Sequence, residues 1–291
     1  MVTAQLVKEL RERTGISMMD CKTALTESDG DIEKAIEVLR KKSVLKAEKK
    51  SGRATNEGAI VIGSSDDVYF IVEVDTETDF AAKDASFQKF LEDLTNFCTE
   101  HTPTDLADLN EKYNAQLLEI IQKIGENIKI SYFEKLNIDG AVVASYKHSD
   151  NRLAAIVKLD SGDDSLCRDI AMQVAANNPM AIYPDDIDQE ILEKEKEIAL
   201  ATLVNENKPE EIIEKIIIGK LNKFKMENAL VEQPFIKDPD KKIKDLLGTA
   251  KIISFLRKKV GEWQKKTQLQ VRTRFTWYSK GEDIGTLISN G

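Results

Sequence analysis

The sequence predicts an α+β chain built from several small units, and three patterns carry that prediction. Residues 1–40 place their apolar side chains at helical spacing, with caps and turns between short runs. A strand–turn–strand pattern followed by an amphipathic helix then occurs twice. Residues 186–228 form two long, highly charged helical patterns that meet at a proline. The chain has 291 residues, and at ~100–200 residues per domain that length allows two or three compact units.

In the first unit, Leu6, Val7 and Leu10 share one helix face that stops at Gly15. Ser17 and Asp20 make a capping-box-like start for a second helix carrying Met18, Cys21 and Leu25. A turn at residues 29–31 precedes a third helix with Ile32, Ala35, Ile36 and Leu39. About 40 residues enclose only a marginal core, so contact with something else is the expected purpose. Ile16, Met18 and Met19 either form an exposed, adaptable apolar patch or all lie inward. Residues 41–53 carry six basic side chains against one acid. This stretch reads as a basic linker with a helical turn, with a nucleic-acid arm as the alternative.

The body repeats itself. Strands at 58–63 and 68–75 with a turn at 64–67 form a hairpin, followed by a helix at 84–101 with Phe87, Phe90, Leu91, Leu94 and Cys98. Strands at 140–146 and 153–160 with a turn at 149–151 form another, followed by a helix at 165–177. Both open with Gly-Ala and end their second strand in Asp. Each is expected to be a small antiparallel sheet with a helix on one face. A helix at 106–124 and a strand at 128–133 lie between them. Ile187, Ile191, Ile198 and Leu203 run along the next helix. Ile212, Ile213, Ile216, Ile217, Leu221 and Phe224 follow Pro209 on its partner. The two are expected to form a projecting antiparallel hairpin that turns at 205–209, the kind of arm that serves association. A helix near 244–247 and a strand at 252–256 return to compact structure. The expected units are therefore 1–53, 54–139, 140–185 with its return at 229–262, the arm 186–228, and the tail 263–291.

Composition narrows the chemistry. The net charge of −9, from 42 basic and 51 acidic residues, disfavours a general nucleic-acid binder. No apolar run approaches the ~18–20 residues of a membrane span, and no secretory signal opens the chain. Three widely spaced cysteines fit reduced thiols in a cytoplasmic protein. With only two histidines, His101 and His148, no zinc motif can be written. No Gly-x-Ser-x-Gly elbow or Gly-x-Gly-x-x-Gly loop occurs. Gly58 and Gly63 have phosphate-loop spacing, but Ser64 stands where Lys is required and the intervening residues read as a strand. A binding protein, not an enzyme, is expected, with no cofactor and no metal.

Leu6-Val-Lys-Glu-Leu-Arg-Glu-Arg-Thr-Gly15, Met18-Met-Asp-Cys-Lys-Thr-Ala-Leu25 and Glu73-Val-Asp-Thr-Glu-Thr-Asp-Phe-Ala-Ala-Lys-Asp84 stand in order along the chain. Lys123-Ile-Gly-Glu-Asn-Ile128, Ser145-Tyr-Lys-His148, Ile170-Ala-Met-Gln-Val-Ala-Ala176 and Val260-Gly-Glu262 follow. Together these motifs resemble the bacterial elongation factor Ts family. The resemblance implies a ubiquitin-associated-like amino-terminal bundle, two core subdomains and a helical dimerisation module. It implies a guanine-nucleotide exchange factor that binds elongation factor Tu carrying GDP and speeds GDP release. Thr78, Asp79, Phe80 and Ala81 fall on the segment that dislocates the partner's magnesium. Further partner contacts carry over to Arg11, Met18, Met19, Ile124, Gly125 and His148. From the residues alone, Phe80 reads as a cap on the subdomain core and Asp79 as a helix cap; the resemblance makes Phe80 a wedge. After Glu262 the chain departs from the family: residues 263–291 hold five basic residues against two acids and both tryptophans. Leu269, Val271, Phe275 and Trp277 alternate as in a strand; an RNA-binding tail and a tail with no packed structure both fit. A scaffolding dimer built on the arm is the rival of another class.

Overall fold

The computed structural model describes residues 2–203 and 209–262. The reading of the 263–291 tail, and residues 205–208 of the expected turn at 205–209, lie outside the described residues. The first unit is three helices, α1 (Ala4–Thr14), α2 (Met18–Glu27) and α3 (Ile32–Lys50). Each begins at a side-chain cap: Thr3, Ser17 and Asp31 accept from the backbone N–H groups of Leu6, Asp20 and Lys34. Leu10, Ile16, Cys21, Leu25, Ala35 and Leu39 close the small core.

The expected linker at 41–53 is instead mostly helix. No Gly or Pro lies between Gly30 and Gly52, and Lys, Ala, Glu and Leu are strong helix formers, so α3 runs on to Lys50. Its last turns dock on the body. Ala47 packs against the first subdomain core. The Asn127 side-chain amide donates to the carbonyls of Ser51 (3.4 Å) and Arg53 (2.9 Å).

The first sheet contains β1 (Glu57–Ser64), β2 (Val68–Thr76) and, later in the chain, β3 (Ile128–Asn137). The strands are antiparallel in the order β1-β2-β3. A one-turn helix α4 (Asp79–Lys83), then α5 (Ala85–His101) and α6 (Leu106–Ile124), connect β2 to β3. Phe70, Val72 and Val74 meet Phe87, Leu94, Cys98 and Leu109 in one core. Gly63, offered above as a phosphate-loop glycine, is a strand residue; a Cβ there would collide with the Phe70 ring.

The second subdomain begins with β4 (Val142–Lys147), β5 (Leu153–Leu159) and α7 (Asp164–Asn177). The chain leaves through α8 (Gln189–Leu203) and α9 (Glu210–Asn228). It returns through β6 (Pro234–Phe235), β7 (Asp238–Lys242), α10 (Ile243–Leu247) and β8 (Ile252–Lys259). β8 completes a sheet of order β4-β5-β8. The feet of the arm are tied together: Met180 donates to Asn228 (2.8 Å) and Leu230 to Ala181 (2.9 Å). The arm's stripe differs from the expected one. Ile187 precedes α8 and Ile198 is exposed, while Leu192, Ala199 and Leu203 face α9. A separate 3-10 turn occupies Pro184–Asp186, and the Asp188 carboxylate then accepts from the Glu190 N–H (2.8 Å) in the first turn of α8, so the helix begins after Ile187.

Both sheets are covered on their second faces as well. Ile60, Ile71 and Leu136 of the first pack on Ala154 and Ile156 of the second, and the Ile60 N–H donates across to Asn151 (2.7 Å). Burial on both faces is why β2 reads as a nearly unbroken apolar run. The joint also holds charge. Glu73 of β2 and Lys258 of β8 form a buried ion pair at 2.8 Å.

Asp75 lies two residues beyond Glu73 on β2 and is buried, with one oxygen accepting no hydrogen bond and Lys129 at 3.7 Å. Burial, and then the Glu73 charge, raise its pKa from 3.8 to about 6. The folded chain therefore keeps a proton that the unfolded chain releases. The associated stability is undiminished below 3.8 and is lost as pH rises through about 6. Asp75→Asn removes this titration. Its melting temperature relative to the parent is expected to be higher at about pH 7.5 than at about pH 5. Equal offsets at both pH values would show that Asp75 does not titrate in this window.

Candidate functional site

The segment after β2 is held by a dense set of local bonds. The Thr76 hydroxyl donates to the Thr78 carbonyl (2.8 Å). Thr78 is the N-cap of α4, its Oγ1 accepting from the Ala81 N–H (3.2 Å). Asp84 ends α4 and also caps α5, accepting from the Ser86 N–H (2.7 Å). The Gln88 side-chain amide adds a bond to the Ala82 carbonyl (2.6 Å). A five-residue helix has little intrinsic stability, so these caps at both ends are what order it.

Within α4, Ala81 is buried while Phe80 is 83% exposed, the largest exposure among the exposed large apolar side chains of the described residues. The reading of Phe80 as a core cap is therefore overturned: Ala81 turns inward and Phe80 turns out. The cap role suggested for Asp79 belongs to Thr78. Asp79 instead pairs with Lys83 at 2.7 Å, which lowers the Asp79 pKa, and both side chains remain solvent-exposed. An exposed aromatic ring on an ordered helix is a shape that a partner pocket can bury.

The connection from α6 to β3 lies alongside. Gly125 ends α6 at φ +85°, a left-handed conformation that suits glycine. Its carbonyl accepts from Lys50 of α3. Burial, Arg53 and Lys46 pull the Lys50 pKa down. Glu126 accepts from the Thr78 N–H (3.0 Å) and hydroxyl (2.7 Å). Glu77 accepts from the Asn127 N–H (2.6 Å) and pairs with Arg53 at 3.3 Å. Residues 77–78 and 126–127 thus exchange bonds reciprocally. Ile124 is half-buried against the first core and Gly125 is exposed, so both predicted positions adjoin the Thr78–Ala81 segment.

The remaining predicted residues approach from two sides. In the bundle, Arg11, Met18 and Met19 are exposed and Ile16 is buried, so the apolar trio divides. The turn between α1 and α2 reaches the body: a Cβ on Gly15 would stand 3.0 Å from Lys123, beside Ile124. His148 sits exposed in the β4–β5 turn with Nδ1 3.2 Å from Asp150. Arg152 of that turn pairs with Glu57, and Glu57 lies opposite Thr76 in the β1–β2 register. His148 and the Phe80 segment therefore flank the same end of the first sheet. Glu77, Glu126, Lys50 and Arg53 were not singled out from sequence. Glu126 lies in a quoted motif, but its partner is 48 residues away.

Among the described residues, no group of three or more His, Cys, Asp or Glu side chains is placed to hold a metal ion. No helix of the described residues is long and apolar enough to cross a membrane. Cys21, Cys98 and Cys167 are free thiols, one in each of three cores, and burial raises Cys98 to about 12 and Cys167 to about 11.

A family model described as elongation factor TS matches residues 77–262. The chain is 49% identical over 273 residues to elongation factor Ts of Marinobacter nauticus, covering 92% of this chain and 94% of that protein. It is 44% identical to elongation factor Ts of Saccharophagus degradans, with 92% and 94% covered. The corresponding protein of Hahella chejuensis is 42% identical, with 96% and 99% covered.

Proposed function

The chain belongs to the elongation factor Ts family, and from that membership we propose that it is a cytoplasmic guanine-nucleotide exchange factor for elongation factor Tu. It binds the GTPase in its GDP form and speeds GDP release so that GTP can enter, without making or breaking a covalent bond. The observation that carries this reading is Phe80, 83% exposed on a helix capped at both ends. Phe80 intrudes between partner side chains and shifts the segments that line the partner's magnesium site. Loss of the metal removes charge neutralisation at the diphosphate, and GDP leaves faster. Ile124 and Gly125 extend the contact beside α4, His148 flanks it, and Arg11, Met18 and Met19 add a second contact through the bundle. Factor and nucleotide oppose each other's binding by the same factor.

The test is release of labelled GDP from elongation factor Tu with and without this chain. Release is expected to accelerate at substoichiometric factor, and excess Mg²⁺ to oppose it. An unchanged release rate at excess factor would sink the reading. Insensitivity to Mg²⁺ would retain the wedge and discard the metal step. We also propose that the α8–α9 arm associates with a second copy, because Ile198, Leu200, Ile212 and Ile218 are exposed along it. Sedimentation of the same samples reads this directly, and a monomeric free chain with a 1:1 complex would remove the dimer.

A further inference from the structure

We propose that Glu126 is a positioning residue for exchange: by accepting both the N–H and the hydroxyl of Thr78, it sets the pose of the helix that presents Phe80. This rests on the exchange reading above and assigns a role to a residue outside the predicted contact set.

All of the polar groups of Thr78 are engaged. Its N–H and O–H go to the two oxygens of Glu126 at 3.0 and 2.7 Å. Its Oγ1 also accepts from Ala81 at 3.2 Å, and its carbonyl accepts from Thr76 at 2.8 Å. Giving the hydroxyl proton to Glu126 directs an Oγ1 lone pair to the Ala81 N–H, so the carboxylate also selects the rotamer that caps α4. Bonds to an ionised acceptor are the stronger kind, and two from one residue define a direction.

Glu126 is itself held from behind. Lys50 grips the Gly125 carbonyl, and Glu77 grips the Asn127 N–H at 2.6 Å. The position of the end of α3 is thereby passed through residues 125–127 to Thr78, and from Thr78 to Phe80. The carboxylate need not touch the partner for this. Without it, α4 keeps its sequence and its Asp84 cap but loses the anchor that aims it, and binding must then order the segment at that moment.

The experiment compares Glu126→Ala, Glu126→Gln, Phe80→Ala and the Glu126→Ala/Phe80→Ala double variant in full-length chain. Readouts are GDP release from elongation factor Tu across factor concentration and backbone amide exchange of residues 78–82. Glu126→Ala is expected to lower stimulated release about tenfold, equivalent to ~1.4 kcal/mol. The Thr78 and Ala81 amides should exchange faster while the β2 amides stay protected. Glu126→Gln keeps one acceptor oxygen and should recover part of the loss. In the Phe80→Ala background, Glu126→Ala should add nothing, because it acts through the ring. A normal release rate for Glu126→Ala, or a loss that adds fully to that of Phe80→Ala, overturns the proposal. If the parent chain does not stimulate release, the exchange reading falls and this one with it. If the parent stimulates and Phe80→Ala does not, failure at Glu126 counts against positioning alone.

Discussion

Replacing Phe80 with alanine is expected to cut stimulated GDP release by about 30-fold or more while leaving the fold nearly unchanged. The magnitude follows from the geometry. An aromatic anchor inserted into a partner typically contributes on the order of 2 kcal/mol or more when truncated, which is about 30-fold. A side chain that is 83% exposed in the free chain supports little of the fold. Exposed substitutions usually shift stability by no more than ~0.5 kcal/mol. The contrast is Phe87, which is fully buried between α5 and the first sheet. Phe87→Ala should cost ~3–5 kcal/mol of stability through loss of burial and a residual cavity. Paired measurements of melting and release separate the two roles. Phe80→Ala with a parent-like melt and slow release supports the wedge. A variant that melts several kcal/mol lower, yet stimulates release normally when folded, would refute it. Asp79→Ala should act in the same direction and more weakly, since its pair with Lys83 is solvent-exposed.

An equally large effect on stability is expected at the joint between the two sheets. Lys258 donates to buried Glu73 at 2.8 Å and to the Glu262 carbonyl at 3.1 Å, and it lies 4.7 Å from the centroid of the Tyr132 ring. Glu73 also accepts from the Gly261 N–H at 3.0 Å. Lys258→Ala leaves a carboxylate buried without its cation, beside a second acid, Asp75. Breaking one side of a buried pair typically costs ~3–5 kcal/mol. The loss should shrink at low pH. The cost comes from a buried negative charge left without its cation, and acid reduces that charge. Replacing both partners by apolar residues of similar volume, Glu73→Leu with Lys258→Met, should recover most of the loss, because no uncompensated charge remains. Chemical denaturation checks all three. If Lys258→Ala stays within about 1 kcal/mol of the parent, the pair does not hold the joint.

Much of the fold was legible because its signals are local. The predicted helix at 106–124 matches α6, and the helix predicted at 84–101 matches α5 with Asp84 as its cap. The Ser17–Asp20 cap and both hairpin turns also stand as expected. Each rests on side chains within a few residues of one another, where spacing carries the information. Two local readings failed for local reasons. The basic charge at 41–53 suggested a linker with a helical turn, yet charge does not end a helix in a stretch dominated by Lys, Leu, Ala and Glu with no Gly or Pro before Gly52. At 187–203 a run of isoleucines suggested the stripe, but the smaller Ala199 faces α9 while Ile198 points to solvent.

The sequence by itself determined the α+β class, the two repeated hairpin–helix units, the charged arm and the motif that carries Thr78, Asp79, Phe80 and Ala81; the short helix α4 came only with the structure. Only the tertiary structure decided that Phe80 faces water and Ala81 faces inward, because both are apolar and neither spacing nor propensity says which side of a five-residue helix meets the core. It also decided that the two sheets share a buried face, that α3 clamps the Gly125 corner, and that Glu126 holds Thr78. The partners in these contacts are 48, 75 and 185 positions apart for Thr78–Glu126, Lys50–Gly125 and Glu73–Lys258. Their proximity is a consequence of how β2, α6 and β8 pack, and packing is set by the summed burial of many side chains, not by any short run of residues.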